Sequence, residues 1–162
     1  MAKKNEPTCL VMTRQKVPVL DRDKYASASG LAKGGYVLAD SDGEPEVILI
    51  ATGSEVHLAV EAHEMLLVEG IKSRVVSLPS WHLWDEQTQE YRDSVLPPAV
   101  TARVAIEQAS TMGWERFIGE TGEMIGMRTF GASGPFKDLA KFFHFTPDDI
   151  VEAAKDQIAG KG

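Results

Sequence analysis

Residues 46–51, with the sequence EVILIA, decide the fold class of this 162-residue chain. Their unbroken apolar run predicts a strand that is buried on both faces, as in a parallel sheet covered by helices. The next four residues are TGSE, and Thr52 and Glu55 have the spacing of a capping box, in which each side chain satisfies a free backbone N–H at a helix start. We therefore expect a helix from here to about Glu69, ended by Gly70.

The same alternation of strand and helix continues along the chain. Strands are predicted at 36–39, 74–78, 103–106 and 122–127, and helices at 85–93, 135–143 and 147–158. Thr146 is the expected N-cap of the last helix, with Pro147 at its first position. The short turn after Ala39 predicts that the first two strands pair antiparallel. This order predicts a three-layer α/β/α sandwich with a mostly parallel sheet of about five strands.

Upstream of this regular region, residues 8–13 (TCLVMT) have the composition of a strand. The following residues, to about 33, show neither a helical nor a strand period and are expected to form a linker.

Composition and charge exclude several classes of protein. Hydrophobic residues make up 43% and charged residues 25% of the chain, which is typical of a globular protein. No apolar run approaches the ~20 residues of a membrane helix, and the N-terminus lacks the apolar stretch of a signal peptide, so we expect a cytoplasmic protein and no membrane partner. The first 24 residues carry a net charge of +3 and the remainder −10. An acidic body argues against nucleic acid as a partner. The basic segment either contacts an anion or is a solvated tail.

Common catalytic and metal-binding motifs are incomplete in this sequence. Cys9 is the single cysteine, and the HExxH pattern that begins at His63 has Leu67 where the second zinc ligand should be. We expect His63, and likewise His82 and His144, to be packed histidines. The GASGP sequence at 131–135 has proline where a nucleophile elbow needs glycine, so it is interpreted as a helix-entry turn. The sequence predicts no metal site.

Two groups of residues remain candidates for contact with other molecules. Thr52, Gly53, Ser54 and Glu107 should lie together beyond the carboxyl ends of parallel strands, where α/β proteins bind ligands. A helix N-terminus there could hold an anion, although Glu107 would oppose one and a capping box explains the same residues. Trp81 and Trp84 form either a buried cluster or, as we favour, an interface patch.

Six segments together, and in this order, resemble the C-terminal third of bacterial and plant transketolases. They are PTCLVMTRQKVPVL, ILIATGSEVHLAVEA, SLPSWHLWDEQ, YRDSVLPPAVTARVAIE, GWERFIG and TFGASGPFKDLAKFFHFT, and they span nearly the whole chain. Related families of the same fold, such as 1-deoxyxylulose-5-phosphate synthase, do not share ATGSEV or YRDSVLPP.

The resemblance implies reversible transfer of a two-carbon ketol unit between sugar phosphates, in a homodimer that uses thiamine diphosphate and Mg²⁺ or Ca²⁺. It also implies that residues 1–33 are the last strand of a preceding domain plus a linker, and that 34–162 are the C-terminal domain. The residues that hold the cofactor belong to preceding domains, so we expect none bound by this chain and no catalytic residue in it. Only TRQ matches a site motif, which implies that Arg14 contacts the substrate phosphate; the alternative is an ordinary surface arginine.

Two alternatives to a transketolase fragment remain open at this point. One is a subunit of a split transketolase, which should carry the whole middle domain. The other is a regulatory α/β module that binds a small ligand near Gly53 and Glu107. The resemblance also places Met1 inside the middle domain, so we expect an engineered or truncated start, and we expect the isolated chain to be inactive.

Overall fold

The computed structural model describes residues 7–160, and these contain one five-stranded sheet between two layers of helices. The strands are β1 (Tyr36–Asp40), β2 (Val47–Ala51), β3 (Ser73–Ser77), β4 (Arg103–Ser110) and β5 (Glu123–Met127). Their order across the sheet is β1-β3-β2-β4-β5, with β1 antiparallel to β3 and all other neighbours parallel. The predicted α/β/α sandwich with a mostly parallel sheet is confirmed.

The predicted pairing of the first two strands is wrong, because β3 lies between them. The turn that joins β1 to β2 is hydrogen-bonded to the start of β3 at both ends: Ser41 N donates to Ser73 O at 3.2 Å, and Glu46 N donates to Lys72 O at 2.8 Å. The turn therefore crosses over β3 instead of closing a hairpin.

Six α-helices cover the sheet in the described residues. They are α1 (Val56–Val68), α2 (Trp81–Asp85), α3 (Gln89–Val95), α4 (Glu115–Ile118), α5 (Phe136–Phe142) and α6 (Pro147–Ile158). The expected N-cap of α6 is present, since Asp149 N donates to Thr146 Oγ1. In addition, Thr146 N donates back to the Asp149 carboxylate, which completes a capping box. The single helix predicted at 85–93 is wrong. Two helices stand there, because the Thr88 side chain accepts from Tyr91 N and starts a new helix. None of the helices in the described range is long and apolar enough to cross a membrane.

Strand β2 is the centre of both halves of the core, and all five of its residues are buried. Val47, Leu49 and Ala51 pack in the cluster that contains α1 and α6 residues, whereas Ile48 and Ile50 pack in the cluster on the opposite face, against α2, α3 and α4. Burial of each large aliphatic side chain stabilises the fold by about 1.5 to 3 kcal/mol.

Residues 7–19 form no strand in this chain, so the strand at 8–13 stays a prediction for a protein that also contains the preceding domain. Its apolar side chains are exposed, among them Val11 at 94%. A strand needs a neighbouring edge to pair its N–H and C=O groups, and no described residue provides one for this segment. The chain first packs against the core at Leu20 and Tyr25, which contact the α1-side cluster, and Tyr25 Oη donates to Glu64 at 3.1 Å. Ala28–Lys33 is a 3₁₀ helix within the segment predicted to be a linker.

Candidate functional site

The carboxyl end of β2 and the adjoining part of β4 bring Ser54, Glu55 and Glu107 together, as predicted for Ser54 and Glu107. Ala51 lies opposite Ile106, so the residues that follow β2 emerge beside Glu107. Glu55 is only 5% exposed. Its carboxylate accepts from Ser54 Oγ at 2.7 Å and from the backbone N–H of Gln108 at 3.4 Å. This edge therefore contains a buried acidic side chain that is held by two protein donors.

The predicted capping box of Thr52 and Glu55 is wrong. Thr52 precedes a 3₁₀ turn (Gly53–Glu55) and makes no side-chain capping bond, and neither does Glu55 at the start of α1. Instead, the Glu55 carboxylate crosses to β4, where the pairing with β5 shifts register between Glu107 and Ser110. Such an irregularity releases a backbone N–H from the ladder, and the N–H of Gln108 donates to Glu55.

Glu107 is half-buried beside this buried acid. Burial raises the pKa of its carboxyl group, and the charge of Glu55 raises it further, against the lowering effect of the bond from Trp114. That bond runs from Trp114 Nε1 to Glu107 Oε2 at 3.1 Å. Glu107 therefore titrates above the ordinary range of a glutamate, and among the described residues its ionised form accepts one side-chain bond, from the indole of Trp114.

Ligand binding at Gly53, Ser54 and Glu107 stays a prediction. Gly53 has a φ of 58°, which allows the sharp turn between β2 and α1. Ser54 and Glu107 both have protein partners. Neither of the two clefts described below has any of these three residues in its wall.

Arg14 lies on an exposed bend. The hydroxyl of Thr13 donates to the Gln15 side-chain oxygen, and the backbone N–H of Gln15 donates to Thr13 Oγ1 at 3.3 Å. Hydroxyl side chains favour such local turns because they bond backbone groups two residues away. The three residues TRQ thus form a local turn that leaves the guanidinium of Arg14 at the surface.

A cleft of about 220 Å³ lies beside this bend, at the carboxyl ends of β4 and β5. Gln15 forms part of its wall, together with Gln108 and Met127 from the two strands. The rest of the wall comes from the loop after β5, from α5 and from Phe145, namely Gly131, Ala132, Phe136, Leu139, Ala140, Phe143 and Phe145. Sequence reasoning missed this cleft, because nothing in the pattern shows that Gln15 lies near the ends of β4 and β5.

A larger cleft, of about 750 Å³, lies where β4 begins and carries three arginines, Arg92, Arg103 and Arg116. The guanidinium of Arg103 donates to four backbone oxygens, those of Val100, Phe117, Leu96 and Pro97, at 2.7 to 3.3 Å. Burial lowers the pKa of Arg103. The bonds show that Arg103 fixes the loops between α3, β4 and α4. The same wall contains three acidic residues, so the formal charges in the wall of this cleft sum to zero. They are Asp85, Asp93 and Glu120.

Of the three histidines predicted to be packed, one is buried and two are exposed. His63 is buried as predicted, with Nδ1 hydrogen-bonded to Ser73 Oγ at 2.7 Å, and burial lowers its pKa. His82 and His144 are exposed, so their prediction as packed histidines is wrong; each lies beside an acid on the surface, Glu86 and Asp149 respectively.

The interface patch favoured for Trp81 and Trp84 is not what the structure shows. Trp84 is buried, and Trp81 packs edge-on against Trp114 with ring centroids 5.4 Å apart. Phe117 completes this aromatic cluster. The alternative, a buried cluster, describes these rings.

Comparison with known proteins decides the family. Residues 34–146 match the model of the transketolase-like C-terminal domain. The chain belongs to the transketolase-like C-terminal domain family. It is 47% identical over 151 residues to the transketolase of Aquifex aeolicus and 49% identical over 152 residues to transketolase 1 of Escherichia coli. These alignments cover 93% and 94% of this chain but 22% and 23% of the relatives, so the chain spans less than a quarter of their length.

The fold comparison agrees with the sequence comparison. A crystal structure of Pichia stipitis transketolase in complex with sedoheptulose 7-phosphate superposes with a TM-score of 0.80 at 40% identity, covering 90% of this chain and 20% of that one. The chain is thus a transketolase C-terminal domain, as the resemblance implied.

Proposed function

We propose that this chain works as the C-terminal part of a transketolase, which transfers a two-carbon ketol unit between sugar phosphates. The observation that carries the proposal is the identity of nearly half to curated transketolases along almost the whole chain. We further propose that residues 1–33 belong to the preceding domain and linker and that 34–162 form the C-terminal domain. A homodimer, which the transketolase resemblance implies, and a cytoplasmic location are parts of the same proposal.

The cofactor of this proposal, thiamine diphosphate with a divalent cation, does not fit the residues of this chain. Holding magnesium beside a diphosphate needs several oxygen ligands, usually carboxylates and carbonyls. Between residues 7 and 160, no group of three or more His, Cys, Asp or Glu side chains is placed to hold a metal ion. Glu55 and Glu107 are two acids, and each already accepts bonds from protein donors. We therefore assign the cofactor to the remaining domains and propose no catalytic residue in this chain.

The contribution that we propose for this chain is recognition of the substrate phosphate by Arg14. Arginine suits this role because its planar guanidinium matches phosphate oxygens and stays charged at any working pH. The exposed bend supports the role, since it leaves the guanidinium free to reach a ligand held mostly by another domain. The first 24 residues contain six Lys/Arg against three Asp/Glu, a net charge of +3, which favours an anionic partner.

Arg14→Ala in the full-length enzyme tests this role. We expect KM for phosphorylated sugars to rise about tenfold to a hundredfold, because a charge-assisted hydrogen bond contributes about 1.5 to 3 kcal/mol. Non-phosphorylated acceptors should retain their kinetics, since they never make the contact. Lys16→Ala, which removes an exposed cation two residues away, is the matched control and should leave both substrate types unchanged. Equal losses for both types in Arg14→Ala would remove the phosphate role.

A further inference from the structure

The cleft at the carboxyl ends of β4 and β5 points to a positioning role for the residue next to Arg14. We propose that Gln15 packs against the other residues that line this cleft and thereby fixes the direction in which Arg14 presents its guanidinium. The inference rests on the proposed phosphate role of Arg14. It assigns the C-terminal domain a task in substrate recognition, because the cleft belongs to that domain and the arginine precedes it in the chain.

The bend at Arg14 is weakly held by its own bonds. The two hydrogen bonds between Thr13 and Gln15 are exposed to water, and such bonds contribute about 0.5 to 1.5 kcal/mol each at most. The residues before the bend are exposed as well, Val11 and Met12 among them. A guanidinium that must meet a phosphate in one geometry therefore needs a second support.

The cleft is small for a substrate, and its lining suits contact with the side chain of Gln15 in its wall. Its volume of about 220 Å³ is below the roughly 300 to 1,000 Å³ of ordinary ligand pockets. Apart from Gln15 itself, Gln108 is the one polar side chain in its wall, and the others are apolar or glycine. Glutamine can lay its methylene stem on apolar surface and keep its amide at the rim. The wall therefore offers apolar contact for the stem of Gln15 and a polar neighbour for its amide.

The cleft is also anchored to the core at two points. Phe145 is buried in the α1-side cluster with Ile150 of α6. On the other wall, the backbone of Gln108 is tied to the buried Glu55 carboxylate. A site that is held by packed elements keeps its geometry better than one on a free loop, and a shift of about 1 Å in a substrate-binding group can cost a hundredfold in rate. The domain thus supplies a fixed reference for an arginine whose own bend is held only by exposed bonds among the described residues.

Substitutions in the full-length enzyme test the positioning role. Gln15→Ala removes the side chain from the wall, and Ala132→Trp places a bulky ring in the cleft from an exposed loop position. Both should raise KM for phosphorylated sugars about threefold to tenfold and leave the kinetics of non-phosphorylated acceptors unchanged. Gln15→Met keeps an unbranched stem of similar length and should restore most of the wild-type KM. Ser133→Ala is the control for the loop, because Ser133 is exposed in the same loop and is not part of the cleft wall.

A double-mutant cycle separates positioning from a general structural effect. If Gln15 acts through Arg14, Gln15→Ala should change KM in the wild-type background and change nothing further in the Arg14→Ala background. An equal effect in both backgrounds, or equal losses for phosphorylated and non-phosphorylated substrates, would overturn the inference. If Arg14→Ala shows the phosphate effect but Gln15→Ala and Ala132→Trp match the wild type, the inference alone fails. If Arg14→Ala itself shows no phosphate effect, the proposed function of Arg14 fails.

Discussion

Residues 7–19 and strand β2 contain similar apolar runs, CLVM and VILI, yet the first is exposed to water and the second is buried. Every residue of β2 is buried, whereas Val11 and Val19 are 94% and 96% exposed. The difference lies in the neighbours. Strands β3 and β4 pair with β2 on its two sides, and helices cover both of its faces. The apolar run of 7–19 finds no such partners among the described residues, which is what we expect of a segment whose sheet belongs to another domain.

The largest expected effect is a difference in stability between these two regions. Ile50→Ala in β2 should destabilise the 162-residue chain by about 2 to 5 kcal/mol, because it leaves a cavity in the core. Val11→Ala should change the free energy of unfolding by about 0.5 kcal/mol or less, as is usual for exposed positions. Urea titrations of both variants measure this. Comparable losses would show that residues 7–19 are packed in the isolated chain.

A smaller effect concerns the buried His63 of the sheet domain. Because burial lowers its pKa, the unfolded chain takes up a proton at this histidine at a higher pH than the folded one. Stability is therefore complete above the unfolded pKa of about 6.5 and falls as the pH drops below it. Asp40 and Glu64 oppose the lowering and Lys24 adds to it, and burial has the largest effect.

His63→Gln tests this expectation. The substitution should cost about 1 to 2 kcal/mol at pH 7 through altered packing, and the cost should shrink at pH 5, where the wild type has lost the histidine contribution. The exposed His144 provides the control His144→Gln. A cost that is the same at pH 7 and pH 5 would show that His63 titrates alike in the folded and unfolded chain.

The smallest effect is expected at Glu107. Since the folded-state pKa of this acid is raised, its contribution to stability is lost as the pH rises through that pKa. Glu107→Gln removes the charge beside Glu55, and its amide oxygen can still accept from Trp114. We expect the Tm at pH 7 to rise by about 2 °C, corresponding to roughly 0.5 to 1 kcal/mol in a chain of this size, with a smaller gain at pH 4. Thermal melts at both pH values check it, with the exposed Glu123→Gln as control; a lower Tm at both values would contradict it.

The sequence was sufficient for the parts of the fold that depend on local pattern. The β2 run, α1 with its end at Gly70, and α6 with its Thr146 cap are all present as predicted. Features that depend on distant partners were not predictable. Glu55 has the spacing of a cap but bonds to β4, and β1 pairs with β3 through a crossover that no local signal shows. The same holds for the candidate site. The TRQ motif could be identified from the sequence, but the position of Gln15 in the cleft wall depends on residues about a hundred positions away and could not.

We propose above all that the chain folds as a domain of its own, while the cofactor site of the enzyme lies in other domains. Calorimetric titration of the purified 162-residue chain with thiamine diphosphate and Mg²⁺ tests it most directly, beside a coupled assay with xylulose 5-phosphate and ribose 5-phosphate. We predict cooperative thermal unfolding, no heat of cofactor binding and no turnover. Micromolar cofactor binding, or turnover that Glu107→Gln abolishes, would contradict the claim and make this chain a catalytic domain in its own right.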